Sequence, residues 1–177
     1  MAHNWGLSFS AGWLLSKRRD GALSEVPNCR LSARECVDLE ATDRASATEW
    51  TESVLRESSL DHKCNFQSQA GQTAFVINPA GEMNACIDLP LPAARPLEVG
   101  FRAAWEQVQR YVDNAPPMAP LRIACDARAY CPRCPAWSQL ETGTLSDPVP
   151  YLCEIANARK ERYAPSCMPS PPASRTP

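Results

Sequence analysis

The sequence predicts an α+β fold, namely a small cysteine-rich domain with a β-hairpin, a central helix and irregular loops, preceded by a helical segment. Its 177 residues include 17 prolines and nine cysteines but few aromatic residues, a composition typical of a loop-rich domain with a thin core. A β-branched run followed by Asn-Pro-Ala-Gly indicates the hairpin, and apolar residues at helical spacing indicate the helix. A net charge of -2 gives no basic field, which excludes nucleic acid as a direct partner.

A short apolar stretch, GLSFSAGWLL (6–15), predicts a buried strand near Leu7 to Phe9, followed by a polar loop up to residue 30. The basic residues Lys17 to Arg19 follow this stretch, whereas in a secretory signal such residues come first. The stretch is also too short to span a bilayer. We therefore expect a cytoplasmic protein without a membrane partner.

Residues 31–59 are rich in Ala, Glu and Arg and predict two helices with a break near Thr42. Ser32 and Glu35, three residues apart, form the capping box typical of a helix start. Cys36 lies inside the first helix, where we expect a small, buried apolar side chain. The carboxylates of both helices are interpreted as a solvated helix face.

Residues 73–87 carry the hairpin signal, with a turn at 78–81 that Gly81 closes through a positive φ. The following segment, 88–97, contains three prolines, which excludes a helix or a central strand. The central helix is predicted over 99–114, and its core-facing stripe is Phe101, Trp105, Val108 and Val112.

A last helix is predicted over 151–163, after a loop in which Glu141 and Thr142 are expected to act as caps. From residue 164 the chain is rich in Pro and Ser, so this tail, which contains Cys167, is predicted to be disordered. Cys29 follows a proline and an asparagine in a predicted loop and is assigned no role.

Six cysteines remain as candidate ligands of a metal or a cluster: Cys64, Cys86, Cys125, Cys131, Cys134 and Cys153. Cys64 and Cys86 flank the hairpin, so the turn at Gly81 can bring them towards one point. Cys131 and Cys134 form a C-x-x-C knuckle whose thiolates converge. Cys153 opens the last helix, whose dipole favours a thiolate.

Structural zinc stays open as an alternative. Closed zinc sites usually combine two C-x-x-C knuckles, whereas this sequence has one, with a wide gap between Cys64 and Cys86. The function that zinc would imply is a metal-stabilised interaction module without a redox role.

The order and spacing of these cysteines resemble the SPASM domain, the C-terminal auxiliary iron–sulfur module of radical S-adenosylmethionine (radical SAM) enzymes that modify peptides and proteins. The similar features are the hairpin turn at Gly81 before Cys86, the aromatic helix around Trp105, and the run Tyr-Cys-Pro-Arg-Cys-Pro-Ala at 130–136. The resemblance to the SPASM domain covers 64–163. Residues 1–30 are similar to the end of the radical enzyme's barrel, and residues 31–63 are similar to its helical bridge.

The resemblance implies one or two 4Fe-4S clusters, one held by Cys64, Cys86 and Cys134 and the other by Cys125, Cys131 and Cys153. Each set is one thiolate short, and this chain has Arg122 at a position where the family often has a further cysteine. His62 and Asp126 are candidate non-cysteine ligands. Arg128 and Arg133 are expected to balance the charge of the thiolates.

The motif C-x3-C-x2-C, with which radical SAM enzymes bind their catalytic cluster, does not occur in the sequence. The chain alone is therefore not expected to cleave S-adenosylmethionine. The resemblance instead implies an auxiliary module, as part or partner of a radical SAM peptide maturase, that transfers electrons and helps to bind a peptide or protein substrate. A truncated, non-functional remnant of such an enzyme is the other alternative.

Overall fold

The computed structural model describes residues 5–6, 12–20, 25–57, 65–66 and 68–164, with the backbone alone at 44–45 and 53–57. The predicted strand at Leu7 to Phe9, the candidate ligands His62 and Cys64, and the tail from residue 165 on, with Cys167, lie outside these residues. Within them the chain is mostly helical with one small antiparallel sheet, which agrees with the α+β class.

The N-terminal part of the fold contains the two predicted helices, α2 (Ala33–Thr42) and α3 (Arg44–Glu57), preceded by a short helix, α1 (Val26–Cys29), in the predicted loop. The capping box starts α2: the Glu35 amide donates to Ser32 Oγ at 3.3 Å, and the Ser32 amide donates to Glu35 Oε2 at 2.8 Å. The break falls at Asp43, next to its predicted place. The prediction of a loop for Cys29 is wrong, because Cys29 ends α1.

The predicted hairpin is present with shorter strands, β1 (Val76–Ile77) and β2 (Met83–Asn84), which pair antiparallel. Gly81 has a φ of +76°, and its amide donates to the Asn78 carbonyl at 2.9 Å, which confirms the turn. From the sequence, the three prolines of 88–97 exclude a helix or a central strand. That prediction is wrong only at the end of the segment, where Pro96 starts a short helix, because the isolated bridge of Ala94 to Met83 is not a central strand.

The central helix is confirmed with slightly different bounds. Gly100, with a φ of +84°, separates α4 (Pro96–Val99) from α5 (Phe101–Asp113). On α5, Val108 and Val112 are buried as predicted, whereas Phe101 is 55% exposed and does not belong to the core. Its ring instead packs edge-to-face with the Phe75 ring on the protein surface, with 5.4 Å between the two ring centroids.

The C-terminal part contains α6 (Pro120–Ile123), a 3₁₀ turn (Arg128–Tyr130), α7 (Pro135–Thr142) and α8 (Pro150–Tyr163). Helix α8 is the predicted last helix, whereas α6 and α7 were not predicted. Thr142 caps its turn by accepting the Thr144 amide at 3.3 Å, as expected. Glu141 does not: it accepts the Lys17 amide at 3.0 Å and pairs with Arg30, which ties α7 to the N-terminal segment.

Two hydrophobic cores hold these elements together. The first lies between the hairpin region and α5, and its buried residues are Phe66, Met83, Ala85, Leu89, Ala94, Ala104, Val108, Val112, Ala136 and Leu145. The second lies between α2 and α8 and consists of Cys36, Val149, Leu152 and Ile155, with Trp13 and Trp137 against it. Cys36 is fully buried, as predicted. Because Ala136 and Trp137 are neighbours on α7, this helix connects the cores.

One carboxylate of α2 departs from the predicted solvated face. Glu40 is 2% exposed and forms a buried ion pair with Arg159 of α8. Trp13 Nε1 also donates to Glu40 at 3.2 Å, and the Arg159 guanidinium lies 3.8 Å from the centre of the Trp50 ring. The prediction failed because Glu40 and its partner are 119 residues apart in sequence, so no local pattern distinguishes Glu40 from a surface glutamate.

Candidate functional site

A cavity of about 320 Å³ lies where α6, the 3₁₀ turn and the first turn of α8 meet. Three of the predicted ligands, Cys125, Cys131 and Cys153, line it. The other lining is mainly apolar and includes Leu121, Val149 and Leu152. Residues far apart in sequence thus place three thiols along one concave surface.

The local backbone explains how each thiol reaches the cavity. Cys125 directly follows α6, and its amide donates to the Arg122 carbonyl at 3.3 Å. Cys131 ends the 3₁₀ turn, where its amide donates to the Arg128 carbonyl at 3.1 Å. Cys153 lies in the first turn of α8, which Pro150 begins. Cys125 is exposed, and the other two thiols are partly buried.

Positive charge surrounds these thiols. Arg122, Arg128 and Arg133 all line the cavity, and none of the described residues that line it is an Asp or a Glu. Arg128 and Arg133 are the arginines that the sequence predicts beside the thiolates. Arg122 is a third arginine at the cavity, which the sequence did not predict there. A cavity of thiols and guanidinium groups without carboxylates is suited to a negatively charged group.

Burial favours the neutral form of two of these thiols, Cys131 and Cys153. Burial, with smaller contributions from Cys153 and Cys125, raises the pKa of Cys131 to about 11, although Arg122 and Arg133 act in the opposite direction. The pKa of Cys153 is also raised, first by burial and then by Cys125. Cys125 thus raises the pKa of both of the other thiols that line the cavity.

Cys86 and Cys134 form a second pair, which packs against the first core. Cys134 is the residue before α7. Burial raises the pKa of Cys134, the amides of Trp137 and Ala136 oppose this, and Cys86 and Asp88 add to the rise. Cys64, the third predicted member of this set, lies outside the described residues.

The remaining candidates lie elsewhere. Asp126, a candidate fourth ligand, does not line the cavity: its carboxylate is 79% exposed and pairs with Lys160 at 2.6 Å. Cys29 is exposed at the end of α1, and Cys36 Sγ lies 3.5 Å from the Tyr151 hydroxyl in the second core. In the part of the chain that the structure describes, no three His, Cys, Asp or Glu side chains form a group that could hold a metal ion.

Comparison of the chain with known protein families, with curated proteins and with solved structures finds no match. No helix among the described residues is long and apolar enough to cross a membrane.

Proposed function

We propose that this chain binds an iron–sulfur cluster at the cavity of Cys125, Cys131 and Cys153. The observation that carries the proposal is that thiols from three separate elements line one cavity. Thiolates are the usual protein ligands of 4Fe-4S clusters, and the surrounding arginines provide the positive charge that a net negative cluster needs.

The donor set suits a cluster better than a single zinc ion. Closed zinc sites usually combine two C-x-x-C knuckles, whereas this sequence has one, and only Cys131 of that knuckle lines the cavity. Thiolates on a cluster bind different irons, so they stand farther apart around a larger body. The cysteine side chains would have to change rotamer to bind either a cluster or a zinc ion. Binding is therefore coupled to local folding.

A second cluster on Cys64, Cys86 and Cys134 belongs to the same proposal. Its support is the contact of Cys86 and Cys134 with the first core, where Cys86 contributes to the raised pKa of Cys134. The amides at the start of α7 favour the thiolate of Cys134, since helix N-termini stabilise negative charge.

When bound, a cluster of this kind supplies one-electron transfer. The residues of the chain would hold it through sulfur, balance its charge through arginine, and limit water through the apolar lining of Leu152 and Val149. Since the sequence lacks C-x3-C-x2-C, we assign the chain an auxiliary role beside a radical SAM barrel that modifies a peptide or protein. This assignment rests on the resemblance to the SPASM domain.

The hairpin is the surface that we propose for the peptide. Among the described residues β1 pairs only with β2, so its outer edge is available to an added strand. Phe75 and Ile77, at this edge, are exposed large apolar side chains. An extended peptide could pair with the backbone and cover both side chains.

The experiment that tests cluster binding is anaerobic reconstitution with iron and sulfide, followed by absorbance and an iron count. We expect broad visible absorption and about four irons per cluster. Cys131→Ala should remove the cluster of the cavity, whereas Cys29→Ala, at an exposed cysteine outside it, should load like the wild type. A second cluster would survive Cys131→Ala and be lost in Cys86→Ala.

Other outcomes identify the alternatives. A colourless protein that retains zinc would overturn the cluster and leave the interaction module. A chain that takes up neither metal and stays unfolded would indicate the non-functional remnant.

A further inference from the structure

Arg122 is a buried cation with an unsatisfied donor. Its residue is 8% exposed, and its Nη1 has no hydrogen-bond partner among the described residues. Burying an unpaired guanidinium nitrogen is costly, because it loses the water that would otherwise accept its hydrogens. Such an atom needs a hydrogen-bond acceptor, and the described residues do not provide one.

The other arginines of the cavity differ in this respect. Arg128 donates to the Ile123 carbonyl, and Arg133 Nη1 lies 3.7 Å from Met118 Sδ. Both also take part in further interactions. Arg128 and Arg133 therefore have partners within the protein, whereas Arg122 Nη1 has none among the described residues.

The cysteine sulfurs of the same cavity are candidates for the missing acceptor. Arg122 shares the cavity with Cys131 and Cys153, and no Asp or Glu stands among the described lining residues. A neutral thiol is a poor acceptor, but a thiolate, with or without iron, is a good one.

We propose that Arg122 is a positioning residue of the cysteine cavity, whose guanidinium donates to the ionised sulfurs of Cys131 and Cys153 and stabilises the negatively charged group they hold. This inference rests on the proposed cluster. Removing a positive charge beside a cluster disfavours the added electron, so the charge of Arg122 should raise the reduction potential.

The test is a redox titration of the reconstituted chain. Arg122→Gln removes the charge and keeps a polar side chain, while Arg102→Gln removes the same charge from an exposed site on α5. We expect Arg122→Gln to lower the equilibrium constant of reduction at least tenfold, which is about 59 mV for a one-electron couple. Arg102→Gln should keep the potential of the wild type. A role in packing alone would change the melting temperature but not the potential.

The outcomes separate the two proposals. If the wild type takes up no iron, the proposed function fails and this inference falls with it. If it loads normally and Arg122→Gln has the same potential as Arg102→Gln, only the inference is overturned. Should Arg122→Gln not fold or load, Arg122→Lys decides, because it retains the charge. A potential near that of the wild type supports the inference, and a loss of iron as complete as in Arg122→Gln contradicts it.

Discussion

At the scale of single residues, the pair of Glu40 and Arg159 is the strongest polar link between α2 and α8. Both side chains are almost fully buried, and Arg159 Nε donates to Glu40 Oε2 at 2.8 Å while its Nη1 donates to the Tyr130 carbonyl at 3.3 Å. Removing one partner of a buried pair leaves the other charge without compensation. We expect Glu40→Gln to lower the free energy of unfolding by about 3–5 kcal/mol in urea denaturation.

The control for this change is Glu106→Gln on α5. Glu106 and Arg110 form an i,i+4 pair at 3.9 Å with both side chains at least half exposed. Such surface pairs contribute about 0.3–0.5 kcal/mol. If both variants were destabilised to the same small extent, the buried pair would not be the link that we describe.

The thiol of Cys131 makes a prediction about pH. Its pKa of about 11 in the folded chain exceeds the ordinary value of 9.0, so the folded state keeps the thiol proton over a range in which the unfolded state has lost it. This contribution to stability is complete below about pH 9 and disappears as the pH rises through about 11. Between these two pH values, the ionisation of this thiol should lower the free energy of unfolding by about 1.4 kcal/mol per pH unit.

Urea denaturation of the unloaded chain between these pH values measures the effect. Cys131→Ala should make the decline of stability with pH less steep, and Cys29→Ala should leave it unchanged. Comparing the variants removes the contribution of the tyrosines and lysines, which titrate in the same range. Equal slopes in all three proteins would contradict the prediction.

At the scale of elements, Gly71 fixes how closely the chain before the hairpin approaches α5. Its φ is +69°, and a Cβ placed there would lie 2.4 Å from Val112 Cγ2. Gly71→Ala therefore combines an unfavourable backbone conformation with overpacking, and we expect a loss of about 2–4 kcal/mol in unfolding free energy.

Gly81 provides the matched control. Its φ is +76°, but nothing lies within 4 Å of the Cβ position. Gly81→Ala should cost only the backbone strain, about 1–2 kcal/mol. Equal losses in the two variants would mean that Val112 and its surroundings move aside without cost.

The prolines explain which helices could be predicted from the sequence. Helices α4, α6, α7 and α8 each have a proline in the first turn, where a missing N–H leaves no hydrogen bond unmade. In the sequence these prolines suggested irregular segments, so α6 and α7 were missed. Helix α8 was predicted because a long run without proline follows Pro150, and α2 because Ser32 and Glu35 are a specific local signal.

At the scale of the whole molecule, the site divides into a part that sequence can indicate and a part that it cannot. The spacing of the cysteines indicates which thiols belong together, and the structure places Cys125, Cys131 and Cys153 along one cavity. Their ligation of a cluster stays a prediction. Burial of Arg122 could not be foreseen, because it lines a cavity together with residues about thirty positions away, such as Val149 and Leu152.

The position of the cavity predicts where loading should stabilise the chain. Its thiols belong to the end of α6, the 3₁₀ turn and the start of α8, so a cluster would link three elements that otherwise meet around a partly open space. Amide hydrogen exchange should then become at least about tenfold slower at 120–134 and 150–154 after reconstitution. Exchange in α3, none of whose described side chains lines the cavity, should stay the same.

Cys153→Ala is the variant that tests this mechanical link. It leaves Cys125 and Cys131 in place but removes the sulfur of α8. Reconstitution should therefore no longer slow exchange at 150–154, while exchange at 120–134 should still become slower. Unchanged exchange at 150–154 in the loaded wild type would show that α8 takes no part in binding. Slower exchange throughout the chain, α3 included, would instead mean that the metal stabilises the whole fold, as expected where folding and metal binding are a single event.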